Sequence, residues 1–327
     1  MIKKCGIICT LAGSLGICPP AVAQLVPRPS WFVPGDQAFA QEEAAMFASP
    51  PDIARCVAGR ITDSERASVV NTLNEIRAAH GVPPVTYDRS SEDEAMAAAL
   101  MMAANGQLSH QPPPNWRCYS VPGALGAGSS NLAGGTVSPY LAFSASREYL
   151  VGWLTDVRNT IRGTGHRRWL LSPFVTQVAF GRVGGQAADG NRTSAAVLKT
   201  FKFASEPLPS GPVPDFVAYP FGDYPLRFYQ QGALLSFSPI VDKVNRWNNL
   251  KVDLGRARIV VSTAAGVVPS RIEARSNQGV GYAAAIEFSA GSLVLGTTYH
   301  VEITGLSYNG VPLNYAYDFT LDNRAGP

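Results

Sequence analysis

From Thr62 onward the apolar positions follow a helical period. Val69, Leu73 and Ile76 stand at i, i+4 and i+7 and share one face of a helix. Thr62 and Glu65 have capping-box spacing at its start. Gly81 and Pro83 stop it. A short strand is expected around Val85 to Tyr87. A second helix starts near Ser90 or Ser91, with Glu92, Asp93 and Glu94 in its first turn, where the helix dipole favours acids. It continues through Ala95-Met96-Ala97-Ala98-Ala99-Leu100-Met101-Met102-Ala103-Ala104, apolar on every face, and is expected to run buried up to His110. Its methionines read as core filler. A third helix is expected from about Ser144 to Val157, with Tyr149, Leu150, Trp153 and Val157 on one side. Strand-like segments follow, Val175 to Val183 and Ser194 to Phe203. Helices first and strands afterwards predict an α+β domain.

The pattern changes after Pro207, Pro209, Pro212 and Pro214, a stretch expected to be semi-extended and stiff. Beyond it the alternation has period two. Tyr299-His300-Val301-Glu302-Ile303 and Tyr315-Ala316-Tyr317-Asp318-Phe319-Thr320-Leu321 read as strands, as do Arg258 to Val261 and Ala284 to Phe288. Asn309-Gly310 is a turn dipeptide between two of them. Short strands over about a hundred residues predict an all-β sandwich of immunoglobulin-like type, with His300 on its solvent side. The resulting division is 24–59 irregular lead-in, 60–204 α+β domain, 205–215 proline-rich linker and 216–322 β-sandwich.

The N-terminus has a different character. Lys3 and Lys4 precede an apolar run from Cys5 to Cys18, which Pro19 and Pro20 break. Ala21-Val22-Ala23 is a small-x-small cleavage site. This three-part pattern predicts a secretory signal peptide over residues 1–23. No later stretch has the length of a transmembrane helix. Removing the leader takes away Cys5, Cys9 and Cys18 and leaves Cys56 and Cys118. In an exported protein two cysteines form one disulfide more often than two free thiols. The mature chain carries 25 basic against 24 acidic side chains, so net charge falls from +3 to +1. No basic stripe stands ready for phosphates, which disfavours nucleic acid as a partner. Export to the periplasm or the external medium is expected.

Candidate chemistry is sparse. There is no phosphate loop, no HExxH and no paired CxxC. Gly126-Ala127-Gly128-Ser129-Ser130 lacks the spacing of a nucleophile elbow. Two histidines stand out by context, His110 in Leu108-Ser109-His110 and His166 in Gly165-His166-Arg167-Arg168-Trp169-Leu170-Leu171. With these residues a resemblance emerges. The segment from about Thr62 to Val183 resembles the CAP superfamily of cysteine-rich secretory proteins, antigen 5 and pathogenesis-related 1. Leu73-Asn74-Glu75-Ile76-Arg77 through Val85 is similar to its first helix. Leu108-Ser109-His110 and Gly165-His166 are similar to its two histidine motifs. Ser130-Asn131-Leu132-Ala133 resembles Gly-Glu-Asn-hydrophobic, and Trp153-Leu154-Thr155-Asp156 resembles Trp-x-x-Glu.

The resemblance implies an α-β-α sandwich with a central cleft. It also implies a site of two histidines and two carboxylates that can take a divalent metal such as zinc. Carried over, the site is His110, His166, Asp156 and Ser130, with serine in place of one glutamate. His110 and His166 are the candidate metal ligands. Asp156 and Ser130 are either ligands or groups that orient an imidazole. Two functions follow from different classes. One is a secreted, non-catalytic binding module for a small or lipid-like ligand or an extracellular partner, with Trp116, Tyr119, Tyr149, Trp153 and Trp169 as candidate pocket walls. The other is a metal-dependent hydrolase or peptidase, weakened by the missing glutamate and the absence of an oxyanion motif.

Overall fold

The computed structural model describes residues 45–139, 141, 143–157, 159, 163–186, 189–205 and 207–323. The expected leader, and the lead-in as far as residue 44, lie outside them. Among the described residues no helix is long and apolar enough to cross a membrane.

The described chain opens with strand β1 (Phe47–Ser49), antiparallel to β2 (Arg60–Ile61). Irregular chain was expected for β1. It is ordered because Met46, Ile53 and Ile61 are buried and because Cys56 is disulfide-bonded to Cys118. Thr62 then caps helix α1 (Asp63–Ala78), its hydroxyl accepting from the Glu65 amide at 3.2 Å. Val69, Leu73 and Ile76 are all buried.

Strand β3 (Thr86–Tyr87) leads into helix α2 (Glu92–Asn105), whose apolar run is buried. This helix ends at Asn105, not at His110, because Gly106 takes the left-handed conformation (φ 60°) that terminates it. Helix α3 (Val121–Ala127) follows, with Ser120 accepting from the Gly123 amide. Its proline and two glycines hide it from a propensity reading. Strand β4 (Ser130–Ser138) precedes helix α4 (Ser146–Thr155), which is shorter at both ends than expected, and helix α5 (Gly165–Leu170). Strands β5 (Gln177–Gln186) and β6 (Arg192–Lys199) complete a four-stranded sheet in the order β3-β5-β6-β4. β5 and β6 are buried almost throughout, so both faces of the sheet are covered. A Cβ on Gly181 would lie 2.1 Å from the Ala95 carbonyl, so glycine is what lets α2 lie close on one face. The next residue, Arg182, points to the other face and stacks on Tyr149 of α4 at 4.3 Å. The sheet is thus layered between helices.

The second half is all β. A six-stranded sheet runs β12 (Gly266–Val268), β11 (Arg258–Thr263), β15 (Thr298–Tyr308), β16 (Val311–Asp322), β8 (Gly222–Pro225), with β10 (Val252–Asp253) also pairing to β15. The opposing sheet runs β13 (Ser270–Ser276), β14 (Ala285–Ala290), β9 (Leu235–Pro239), β7 (Phe216–Tyr219). Phe237, Ile286, Phe288, Tyr299, Val301, Ile303 and Phe319 fill the space between them. The Asn309-Gly310 turn has both residues at positive φ, 50° and 81°, as a two-residue hairpin requires. His300 lies on the partly exposed face and donates Nδ1–H to Asp318 Oδ1 at 2.7 Å, a hydrogen bond that raises its pKa. The chain is therefore an α+β fold followed by a β-sandwich region.

These halves are not strung on a spacer. One buried cluster joins Leu73, Ile76, Leu170 and Leu171 to Val217, Tyr219, Tyr224, Phe228 and Tyr282 of the sandwich. At its centre His80 is 2% exposed and packs against Tyr219 and Tyr224, with ring centroids at 5.9 Å and 5.2 Å.

Candidate functional site

The loop after α2 carries His110, which is exposed. Its Nδ1 lies 2.9 Å from the carbonyl of Ala127, the last residue of α3. A ring nitrogen facing a carbonyl must carry the proton, so in the neutral ring Nε2 keeps its lone pair. Two neighbours of that anchor are built from the same short stretch. Ser130 Oγ donates to the Gly126 carbonyl at 2.6 Å and is buried. Asn131 Nδ2 donates to the backbone carbonyl of His166 at 3.1 Å. The segment 126–131 therefore holds both histidine motifs, one through Ala127 and the other through Asn131.

His166 sits in the first turn of α5. Its Nδ1 is 2.8 Å from Asp156 Oδ1. Asp156 Oδ2 accepts from the His166 amide at 3.0 Å and the Arg167 amide at 3.3 Å. Asp156 reaches this position because it ends α4 in the left-handed conformation (φ 56°), a region that Asp tolerates better than most residues. The carboxylate is almost wholly buried, with 1% of its side-chain surface exposed against 20% for His166. Oδ1 is engaged by the ring and Oδ2 by the two amides, so Nδ1–H points to Asp156 and Nε2 is turned away from it. This is the arrangement by which a carboxylate fixes the tautomer and direction of an imidazole.

Arginines hold the rest of α5. Arg77, fully buried in α1, donates Nη1 to the Leu170 carbonyl at 2.7 Å, and Nε and Nη2 to Pro83 and Val175. Burial pushes its pKa down to about 9. Arg167 donates to the carbonyls of Leu154 and Thr155 at the end of α4. It also reaches the sandwich, through the Leu234 carbonyl at 2.7 Å and the face of Tyr219 at 3.8 Å.

A divalent metal needs at least a third protein donor to be held with any affinity beside two imidazoles. Both Asp156 oxygens and the Ser130 hydroxyl are already committed. Among the described residues no three His, Cys, Asp or Glu side chains converge as a metal-holding group. These donors do not fit a resident zinc. The expected pocket walls are also largely spent on packing. Trp153 is 2% exposed and donates Nε1 to the Leu132 carbonyl, and Trp169 is stacked on Phe201 with centroids 4.3 Å apart. Apolar exposure lies elsewhere, at Leu108 (42%) in the His110 loop and at Val121 (65%) and Leu125 (55%), one turn apart on α3.

Sequence reading missed three participants. Asn131 stands inside a motif whose sequence does not reveal its bond to the His166 carbonyl. His80 carries no flanking motif, and only its fold context shows it buried. Glu287 of the sandwich lies 123 residues from its partner Thr164, and no local pattern announces such a contact.

The search of curated proteins returns no match to this chain. Residues 70–198 match the family model described as the cysteine-rich secretory protein family, CAP. That span contains His110, Ser130, Asp156 and His166 in the order of the four motifs, and over it the chain is similar to the CAP superfamily.

Proposed function

We propose that the chain is an exported, non-catalytic CAP-domain binding module. In this reading a lipid-like ligand lies along the exposed apolar residues Leu108, Val121 and Leu125 and places its polar head at His110 and His166. One observation carries the reading: each imidazole has Nδ1 tied into the protein, to Ala127 and to Asp156, which leaves each Nε2 to meet a ligand. Neutral rings accept from a ligand hydroxyl, and protonated rings donate to a carboxylate. The disulfide supports a life outside the reducing cytoplasm.

A hydrolase is the second reading, and the Asp156–His166 pair is what favours it, since a buried carboxylate behind an imidazole is how a general base is oriented. The remaining parts of such a site are not assembled. Ser130 Oγ, the candidate nucleophile within the motif, donates to Gly126 and is buried.

The test uses full-length mature protein without a histidine tag. Lipid extraction followed by mass spectrometry should return a bound amphiphile from the wild type and much less from the His110→Ala, His166→Ala double variant. A lipid-free preparation that also refuses added fatty acid and sterol would sink the binding reading. Zinc titration of the same material should give weak uptake only. Tight one-to-one zinc binding that disappears in the double variant would revive the hydrolase.

A further inference from the structure

Helix α5 has six residues, too few to stand without help at its ends. The backbone amides at its start are its main need, since the first turn has no intrahelical acceptors and carries the positive end of the dipole. Thr164, the residue before the helix, supplies no side-chain cap. Two carboxylates do so instead, and they come from different halves of the molecule. Asp156 takes the amides of His166 and Arg167. Glu287, in the sandwich strand β14, takes the amide and the hydroxyl of Thr164, each at 2.7 Å, on its Oε1.

Glu287 is itself fixed. It is 5% exposed and lies opposite Ser236 of β9 in the sheet register. Ser236 Oγ in turn accepts from Arg167 Nη1 at 3.1 Å. Arg168 donates to Ser276 Oγ and to the carbonyls of Tyr282 and Ala283. The backbone of Gly281 lies so close that a Cβ there would be 2.0 Å from the Arg168 carbonyl oxygen. Every residue from Thr164 to Arg168 except Gly165 is therefore tied to a carboxylate or directly to the sandwich. His166 is in the middle of that run.

We propose that Glu287 is a positioning residue for His166, so that the β-sandwich completes the CAP site instead of merely carrying it. Glu287 holds Thr164, Thr164 sets where the helix begins, and that start places the His166 ring and amide together on Asp156. Without Glu287 the first turn loosens, the Nδ1–Asp156 bond weakens, and the ring populates the other tautomer. The ligand-binding part of this inference rests on the reading given under Proposed function; the tautomer part does not.

The experiment is nitrogen NMR of the full chain labelled with 15N-histidine at neutral pH, which distinguishes a protonated from an unprotonated ring nitrogen. In the wild type His166 should be the Nδ1–H tautomer. In Glu287→Ala the two tautomers should mix and average, while His110 keeps its wild-type signals. Glu287→Gln, whose amide oxygen can still accept from Thr164, should restore most of the wild-type spectrum. Fatty-acid affinity should fall about tenfold, or ~1.4 kcal/mol, in Glu287→Ala, because His166 would meet the ligand head in mixed tautomers. Unchanged His166 signals in a folded Glu287→Ala protein would overturn the proposal. If that variant does not fold, Thr164→Val, which deletes only the hydroxyl bond, decides the matter: a shift at His166 supports the proposal and its absence overturns it. A wild type that binds no fatty acid speaks against the functional reading alone.

Discussion

At the scale of residues, burial does most of the chemical work. His80 accepts its place only as a neutral ring, because burial pushes its pKa down to about 3, against the smaller opposing effect of its bond to the Ile76 carbonyl. Arg77 and Arg167 lie on the same side of the balance, since both guanidiniums repel a protonated ring. The unfolded chain binds a proton at His80 below about pH 6.5, and the folded chain does not until about pH 3. The contribution of His80 is therefore unpenalised above pH 6.5 and is lost steadily as pH falls towards 3. The slope is roughly 1.4 kcal/mol per pH unit within that window. Urea unfolding at pH 7 and pH 5 should show a drop for the wild type that is about 2 kcal/mol larger than the drop for His80→Phe. Equal drops in both proteins would show that His80 is not the group responsible. Asp156→Ala is expected to cost about 1–3 kcal/mol, because it strands two buried amides and the His166 ring; denaturation at pH 7 measures it. The sequence pointed to His110, His166 and Asp156 by motif. It did not show that Asp156 spends one oxygen on the ring and the other on two amides, because which atoms a carboxylate faces depends on the left-handed turn at the end of α4.

At the scale of elements, periodicity was readable wherever one face of a segment met the core. α1 and its Thr62 cap, the buried α2 and the hairpin β15–β16 all follow from spacing in the sequence. α3 was not readable, because Pro122, Gly123 and Gly126 mask a helix that exists through packing on α2. β7, β8 and β9 escaped notice as well. They are only four or five residues long, and their strand character comes from partners far along the chain. The disulfide is the clearest case in which counting residues led to structure. It spans 62 positions and ties the turn between β1 and β2 to the loop before α3. Closing a loop of this length in the unfolded chain contributes roughly 4 kcal/mol in the chain-entropy account. Paired replacement of Cys56 and Cys118 by alanine should lower the thermal midpoint by several degrees, and alkylation of the untreated wild type should label no thiol. A labelled thiol would mean that the cysteines are unpaired in solution.

At the scale of the whole molecule, the two halves share a core and share the cap of α5. Proline-rich chain between them suggested a stiff spacer, yet Val213 packs onto the common core and Ser210 Oγ donates to the Pro84 carbonyl. A sequence reads as two patterns when its hydrophobic period changes, and nothing in that change reports how the two parts meet. Calorimetry of the full chain should therefore give one cooperative transition, and Arg167→Ala should lower it sharply, because the carbonyls of Leu154, Thr155 and Leu234 lose their donor together. Two separable transitions in the wild type would contradict the shared core. Whether the imidazoles of His110 and His166 meet a ligand together is tested most directly by calorimetric titration with a long-chain fatty acid. The account predicts saturable binding to the delipidated wild type, weakened by at least about tenfold, or ~1.4 kcal/mol, in the His110→Ala, His166→Ala double variant. Equal affinity in the two proteins, or no saturable binding to either, would contradict it.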